Sequence, residues 1–350
     1  SKKLNMSPKN LNVVKKNHKI LKNNLNIKRI SKIYKKFEKN IDLNTNFIVA
    51  VSGGPDSLAL AFCAKIYSIK NKVKSKFFIV DHKLRSDSTK EAKKVKQLLK
   101  KYSFDTEILT WKGKKPSSNL SSIARDNRYK LLFKKCDKLK IDNILLGHHQ
   151  DDLLENFFIR ILRGSGLNGL VSLAKKTQIG NKILLRPLLN EKKEDLIFLS
   201  KKVFNFYVQD PTNEDEKFQR IKIRKLIKEL KGYGLNKKKF LKTIKNLKYS
   251  NSVVNYYVSE NLKMNSFFSK KNNKIILNNK FFEQPYEIVF RSLSESIRLI
   301  GKRYYSVRGK KVDNIIKFIK NNESYKATLG GCIIEKVDQT VIISKEYTKI

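Results

Sequence analysis

A six-residue segment, Ser52-Gly53-Gly54-Pro55-Asp56-Ser57, combines two glycines with a carboxylate and two hydroxyls. Glycine lets backbone N–H groups approach an anion closely, and the N-terminus of a following helix adds positive potential. The segment lacks the Gly-Lys-Ser/Thr ending of a Walker A loop and the G-x-G-x-x-G spacing of dinucleotide sites. We predict that this segment, the glycine loop, binds nucleotide phosphates. An ordinary strand-to-helix turn that contains two glycines is the alternative.

A second segment, Gly147-His148-His149-Gln150-Asp151-Asp152-Leu153-Leu154-Glu155, concentrates carboxylates at the start of a predicted helix. Asp152 and Glu155 are three residues apart, and Asp151 and Glu155 are four apart, so these side chains can share a helix face. Three interpretations are open: capping of a helix N-terminus, a hydrolytic metal site of histidine and carboxylate, and a site for ATP and its substrate. We favour the third, because a loop that binds nucleotide phosphates implies a nearby Mg²⁺ ion and a substrate that accepts the transferred group.

Two further segments have polar residues at positions where a binding site is expected. Asp81, in Asp81-His82-Lys83-Leu84-Arg85, follows an apolar run, and its carboxylate can accept hydrogen bonds from a ribose or an adenine amine. Capping of the helix that follows is the alternative. Arg163 lies beside Gly164, Gly166 and Gly169 in a predicted loop, where it can contact an RNA phosphate.

The elements that position these residues alternate between strands and helices. The predicted strands are Phe47–Val51, 77–81, 106–110 and 144–147, and the clearest predicted helices are 120–139 and 151–162. This alternation predicts an α/β fold whose parallel sheet has helices on both faces. Ligands bind beyond the carboxyl ends of such strands, so the glycine loop, Asp81-His82 and His148-His149 are expected to face one crevice.

Composition changes along the chain predict four regions. Residues 1–28 form a basic flexible arm, either in contact with RNA or simply solvated, and 29–217 form an ATP-binding catalytic domain. Residues 218–258 form a helical linker. Residues 259–350 form a small α+β C-terminal domain, with a helix at Lys311–Lys320 and strands after residue 326. A basic–aromatic cluster at residues 302–311 predicts that this domain contacts the backbone of an RNA, and a solvated loop is the alternative.

The net charge of +46 and the pI of about 10.1 indicate a polyanionic partner. Nucleic acid is favoured over a membrane surface or a generally solvated face. Cys63, Cys136 and Cys332 are far apart, which argues for a reducing cytosol and against a disulfide framework or a cysteine-based metal site. No apolar run reaches transmembrane length. We therefore predict a cytoplasmic protein without a membrane partner.

The glycine loop resembles the PP-loop, S-G-G-x-D-S, of enzymes that cleave ATP to AMP and pyrophosphate. Over residues 45–230 the chain closely resembles the tRNA(Ile)-lysidine synthetase family. The resemblance rests on an ordered set of segments: Ser52–Ser57, Asp81–Arg85, Ala124-Arg125 with Arg128-Tyr129, Gly147–Glu155, Leu162–Gly166, Arg186–Leu189, and Asp210–Asn213 with Arg220 and Arg224. Leu153 and Asn156 depart from the family pattern, which leaves the hydrogen bonding beside Glu155 open.

The resemblance implies a reaction with ATP and Mg²⁺ as cofactors and two substrates. ATP adenylates the C2 carbonyl oxygen of the wobble cytidine in an isoleucine tRNA with the anticodon CAU. The ε-amine of free L-lysine then displaces AMP, which forms lysidine and shifts decoding from AUG to AUA. No obligatory protein partner is implied.

The resemblance also implies roles for individual residues. Ser52, Gly53, Gly54, Pro55 and Ser57 would hold the pyrophosphate end of ATP. The remaining expectations are Asp81 for the nucleotide, Asp56 and Asp151 for Mg²⁺, Asp152 and Glu155 for the lysine ammonium, His148 and Arg128 for the cytidine or its adenylate, and Arg163, Arg220 and Arg224 for substrate contacts.

Two rival functions are kept open. A PP-loop tRNA thiolase activates the same kind of carbonyl but adds sulfur, which generally needs paired cysteines. An RNA-binding protein that retains the ATP fold only as a scaffold is the other, and the complete acidic set argues against it.

Overall fold

The structure, a computed structural model, describes residues 8–113, 120–209, 219–269, 272–302, 307, 309–321 and 324–346. The chain divides into two compact units, Ser1–Leu241 and Lys242–Ile350. The division falls inside the predicted linker, residues 218–258. The other predicted boundaries remain predictions.

The first unit is built on a six-stranded sheet. Its strands are β1 (Phe47–Val51), β2 (Ser75–Asp81), β3 (Thr106–Thr110), β4 (Asn143–Leu145), β5 (Lys176–Ile179) and β6 (Lys182–Leu185). Their order is β3-β2-β1-β4-β6-β5, and every neighbouring pair is parallel except β5 with β6. The predicted parallel sheet is therefore confirmed, with an antiparallel strand at one edge.

Nine helices of the first unit lie within the described residues. They are α1 (Pro8–Asn23), α2 (Lys28–Lys39), α3 (Pro55–Lys70), α4 (Ser88–Lys101), α5 (Leu120–Leu139), α6 (Gln150–Ile161), α7 (Leu167–Leu170), α8 (Lys193–Phe204) and α9 (Gln219–Gly232). Successive residues of a strand point to opposite faces of the sheet. Val49 accordingly packs with α2, α3, α4 and α8, whereas Ile48 packs with α5. Helices thus cover both faces, which explains the continuous apolar sequence of β1.

The structure differs from the expected flexible arm at residues 1–28. Residues 8–23 form α1, and Leu21 is fully buried against the core of the first unit. The Asn17 side chain donates hydrogen bonds of 2.9 Å to the Lys101 carbonyl and to Ser103 Oγ. The abundant lysine and asparagine of this segment concealed the few apolar residues that attach it.

The second unit has a five-stranded antiparallel sheet in the order β7-β8-β11-β10-β9. Its strands are β7 (Ser266–Ser269), β8 (Lys274–Leu277), β9 (Tyr325–Leu329), β10 (Cys332–Val337) and β11 (Thr340–Lys345). Its helices are α10 (Lys237–Asn265), which begins in the first unit, α11 (Tyr286–Ile300) and α12 (Gly309–Asn321). Leu293 and Ile297 of α11 pack with Val312 and Ile316 of α12 in one core. The predicted small α+β region is confirmed.

Some predictions fall outside the described residues. These are Asp210–Asn213 and, in the basic–aromatic cluster, residues 303–306 and Arg308. No helix within the described part of the chain is long and apolar enough to span a membrane.

Candidate active site

The Ser57 hydroxyl shapes the glycine loop from inside. Its Oγ accepts hydrogen bonds of 3.1 Å from the backbone N–H groups of Ser52 and Gly53, and it donates one of 2.9 Å to the Gly54 carbonyl. These bonds close the turn between β1 and α3. The first N–H groups of α3 have no partners within the helix, so the closed turn presents donors to an anion.

Two glycines allow backbone segments to approach each other closely at this turn. Gly53 has a φ of +89°, and a Cβ there would lie 2.6 Å from Val95 Cγ2 and 2.8 Å from Val208 Cγ2. A Cβ on Gly147 would lie 3.1 Å from the backbone N of Ser57. The structure therefore brings the glycine loop and the start of the acidic segment into direct contact, as expected from their places at strand ends.

Asp56 lies in the first turn of α3 with one carboxylate oxygen unpaired. Its Oδ1 is buried and has no hydrogen-bond partner among the described residues, and its Oδ2 lies 3.5 Å from His149 Nε2. Burial raises the pKa of Asp56; His149 opposes this shift and the nearby Asp152 adds to it. A buried oxygen without a partner is costly, and a bound cation would satisfy it.

His149 links Asp56 to the acidic segment. Its Nδ1 accepts a hydrogen bond of 3.1 Å from the Asp151 N–H at the start of α6, which leaves Nε2 as the ring nitrogen that can donate. Nε2 lies 3.5 Å from Asp56 Oδ2 and 3.7 Å from Asp152 Oδ2. The sequence analysis placed His149 at the crevice but gave it no role in the site. Its position three residues before Asp152, in a capping arrangement, was the available signal.

Asp152 is held as a carboxylate. Its Oδ2 accepts a hydrogen bond of 2.8 Å from the His149 N–H. Burial alone would raise the pKa of Asp152, but His149, His148 and this backbone donor outweigh it, so the pKa lies below its ordinary value. The positive charge of Arg220, on the first turn of α9, acts in the same direction. Asp152 is therefore ionised at neutral pH.

The other two acids of the segment each pair with a cation. Glu155 Oε1 accepts a hydrogen bond of 2.6 Å from Arg224 Nε, and Oε2 lies 3.4 Å from Arg224 Nη2. Asp151 forms an ion pair with Lys237. Both acids line a cavity of about 150 Å³ that Lys193 also borders. Asp152, and not Asp151, is the acid that shares His149 with Asp56.

The two departures from the expected pattern, Leu153 and Asn156, contact other residues. Leu153 packs against Leu173 and Leu189, and the Asn156 side chain donates a hydrogen bond of 3.3 Å to Ser172 Oγ. Within the described residues, the Glu155 carboxylate pairs with Arg224.

Both carboxylate oxygens of Asp81 accept hydrogen bonds from residues that follow it in the chain. Oδ1 accepts hydrogen bonds of 3.0 Å from the Lys83 N–H and Ser88 Oγ, and Oδ2 accepts one of 2.7 Å from Thr89 Oγ1. Burial would raise the pKa of Asp81, but these donors lower it. Asp81 therefore stabilises the first turn of α4. Its expected contact with the nucleotide remains a prediction.

Arginine side chains lie near His148, the residue before His149. Burial and the nearby arginines keep the pKa of His148 far below its ordinary value, against the opposing effect of Asp152, so the ring is neutral. His148 Nδ1 and Arg128 Nε are buried without a hydrogen-bond partner in the described structure. The guanidinium carbons of Arg125 and Arg128 lie 5.4 and 5.5 Å from the centre of the Tyr129 ring. These unpaired polar atoms can bind a ligand.

Of the remaining predicted residues, Arg163 is exposed, and its Nη2 donates a hydrogen bond of 2.8 Å to Gln219 Oε1. Gln219 precedes the exposed Arg220, so the structure places both arginines at the start of α9.

Comparisons with known proteins agree with this geometry. The family model of the PP-loop domain matches residues 23–230. The tRNA(Ile)-lysidine synthase of Orientia tsutsugamushi (strain Boryong) is 32% identical over 318 residues, which cover 87% of this chain and 70% of the relative. That of Wolbachia pipientis wMel is 30% identical and matches 88% of this chain and 72% of its own. The chain belongs to the tRNA(Ile)-lysidine synthase family.

Family membership makes this chain an ATP-using PP-loop ligase of tRNA modification. A solved structure supports the fold independently. The U34-tRNA thiolase NcsA from Methanococcus maripaludis, with its [4Fe-4S] cluster, superimposes with a TM-score of 0.54 over 63% of this chain and 79% of its own. Its sequence identity is 18%, so it shows the fold alone.

Two findings bear on the alternative site chemistries. The described residues contain no group of three or more His, Cys, Asp or Glu side chains that could by itself hold a metal ion. Cys63, Cys136 and Cys332 are all buried and form no disulfide with one another, and burial raises the pKa of Cys136 to about 12. A thiol with so high a pKa is a poor nucleophile at neutral pH.

Proposed function

We propose that the chain joins free L-lysine to C2 of the wobble cytidine of an isoleucine tRNA with the anticodon CAU. ATP first adenylates the C2 carbonyl oxygen and releases pyrophosphate. The ε-amine of lysine then attacks C2, and AMP departs with that oxygen. The carbonyl oxygen alone is a poor leaving group, whereas AMP is a good one, which is why the reaction consumes ATP. The product, lysidine, shifts decoding from AUG to AUA.

The glycine loop would hold the pyrophosphate end of ATP through the donors that Ser57 organises. The unpaired Oδ1 of Asp56 fits a Mg²⁺ ion, whose charge would stabilise the departing pyrophosphate. Asp151 is the second ligand expected from the sequence.

His148 and Arg128 would bind the cytidine or its adenylate. The neutral His148 ring offers both a donor and an acceptor, and Arg128 offers donors only. Both have an unpaired buried nitrogen, which the edge of a base or a phosphate oxygen would satisfy. Arg163 and Arg220, exposed at the start of α9, would contact the tRNA phosphates around that nucleotide.

Glu155 and Asp152 would bind the lysine ammonium. Arg224 fixes the Glu155 carboxylate in one orientation with two contacts, so the lysine would share this carboxylate with Arg224. The amine must lose a proton before it attacks C2.

The observation that carries this proposal is the position of His149 between Asp56 and Asp152, which unites the phosphate loop with the acidic helix. The test is incubation with ATP, ¹⁵N-labelled lysine and the CAU-anticodon isoleucine tRNA, followed by mass spectrometry of the nucleosides. We expect a labelled lysine adduct of cytidine with AMP and pyrophosphate as co-products. Formation of ADP, or a sulfur adduct instead of a lysine adduct, would contradict the proposal.

A further inference from the structure

The first unit has a strongly basic groove along α2. Five lysines line this cavity of about 580 Å³: Lys28, Lys32, Lys35, Lys36 and Lys39. We call it the basic groove. All five side chains are exposed. The row from the first to the last spans about 16 Å along the helix axis, at 1.5 Å per residue.

The orientation of α2 follows from its apolar residues. Ile30, Ile33, Tyr34 and Phe37 are buried in the core of the first unit, so the lysines between them must face outward. The first turn of α2 contains no acidic residue. Cations at a helix N-terminus and like charges four residues apart are both unfavourable. The helix therefore carries electrostatic repulsion that its own packing does not relieve.

Internal ion pairs relieve little of this repulsion. Lys36 Nζ lies 3.0 Å from Glu191 Oε2. Within the described part of the chain, Lys28, Lys32, Lys35 and Lys39 form no ion pair. Four ammonium groups thus remain available to an external polyanion at one concave surface.

The basic groove is connected to the active site. Glu191, the partner of Lys36, also accepts a hydrogen bond of 3.0 Å at its backbone carbonyl from the N–H of Gln150. Gln150 is the first residue of α6, the helix of Asp152 and Glu155. Lys36 of the basic groove is therefore linked, through Glu191, to the start of the acidic helix.

We infer that the basic groove binds the phosphate backbone of a helical stem of the tRNA substrate. This inference rests on the proposed function for the identity of the RNA. A membrane surface fits less well, because a helix that binds lipid needs an exposed apolar face, and that of α2 is buried. Lysines contribute charge without base specificity, so the groove would position the tRNA and not select its sequence.

The test compares two triple variants. Lys32→Gln, Lys35→Gln and Lys39→Gln remove three charges from the basic groove. The control, Lys93→Gln, Lys96→Gln and Lys100→Gln, removes three exposed charges of the same spacing from α4, which does not line the groove. Binding of a fluorescent CAU-anticodon isoleucine tRNA is measured across a range of KCl concentrations, and circular dichroism verifies folding.

We expect the groove variant to lose about two to three units of the slope of log K against log salt, and at least about tenfold in affinity at physiological salt. The control should bind as the unaltered protein does, and arginine at the three groove positions should restore binding. The KM for ATP should not change. Equal slopes for both glutamine variants, or a loss confined to binding of anionic phospholipid vesicles, would overturn the inference.

The outcomes separate this inference from the proposed function. If the groove variant binds tRNA weakly but the unaltered protein forms no lysidine, the groove stands and the proposed reaction fails. If lysidine forms and the two glutamine variants bind tRNA alike, the reaction stands and the groove has no role in binding it.

Discussion

The two units of the chain use buried polar groups in different ways. In the first unit, Asp56 Oδ1, Arg128 Nε and His148 Nδ1 are buried without partners in the described structure. In the second unit, buried Arg291 donates hydrogen bonds of 2.7 and 2.9 Å to Asn251 and Asn255. It also donates one of 2.8 Å to Glu287, and its Nη2, which makes no hydrogen bond to a described residue, lies 2.7 Å from Glu287 Oε1 in an ion pair. An internal network of this kind stabilises a fold, whereas buried polar atoms left without a partner indicate a ligand.

The largest effect is expected for Asp56→Asn. Asparagine keeps the shape of the side chain but removes the charge that would hold Mg²⁺. Pyrophosphate release in the presence of tRNA should fall at least about a hundredfold, because electrostatic stabilisation of a leaving group is a large term in such reactions. Binding of tRNA, measured by fluorescence anisotropy, should persist. A variant that releases pyrophosphate at the normal rate would remove Asp56 from the mechanism.

Arg291→Met tests whether the buried network of the second unit stabilises the fold. This change leaves Asn251 and Asn255 without their donor and should lower the free energy of unfolding by about 1–3 kcal/mol. Denaturant unfolding followed by circular dichroism measures this loss. ATP cleavage by the folded variant should be unchanged. A fall in ATP cleavage without a fall in stability would show that the network is not merely structural.

Glu155→Gln should separate the two steps of the reaction. If Glu155 binds the lysine ammonium, adenylation and pyrophosphate release should continue while the KM for lysine rises. We expect a rise of at least about tenfold, because loss of one charge-assisted hydrogen bond weakens binding by about that factor. Rapid-quench detection of adenylated tRNA distinguishes the steps. An equal loss of both would assign Glu155 to the structure of the site, through its pairing with Arg224.

Ionisation of Asp56 should lower the free energy of unfolding as pH rises. Its folded-state pKa is raised above the ordinary 3.8 by burial, so the folded protein retains a proton that the unfolded chain has released. Stability due to this group therefore falls as pH increases from 3.8 through the raised pKa. Thermal unfolding across this window should show a smaller fall for Asp56→Asn than for the unaltered protein. Parallel curves would contradict the assigned pKa direction.

The smallest effect is expected for replacement of Cys63, Cys136 and Cys332 by serine. Specific activity per folded molecule should stay within about twofold, because buried thiols of high pKa take no part in the proposed chemistry. Lysidine formation per folded protein, with folding measured by circular dichroism, tests this. Loss of activity in a folded variant would revive the thiolase as a rival.

Much of the first unit was predictable because its signals are local. An apolar run followed by glycines or acids indicates the end of a buried strand, and this pattern located the glycine loop and the acidic segment correctly. The β5–β6 hairpin was missed, since its strands are only four residues long and mostly polar on one side. Helix α1 was missed because its composition resembles that of a solvated tail.

The pairing of site residues was less predictable, because it depends on tertiary contacts. Arg224 reaches Glu155 across 69 residues of sequence. Neither residue reveals this partnership locally. Likewise, only the geometry shows that His149 contacts Asp56, while His148 faces the arginines. Residue types and strand ends thus predicted which segments meet, but not which side chain contacts which.

The contacts on Gly53 have a consequence for how ATP arrives. Val95 of α4 and Val208 confine this residue from two sides, and the Val208 N–H donates a hydrogen bond of 2.9 Å to its carbonyl. The conformational entropy of the loop is therefore lost during folding and not on ligand capture. Nucleotide association should then follow a single kinetic phase whose rate rises linearly with ATP concentration, and slow rearrangement, where it occurs, belongs to the arrival of the RNA.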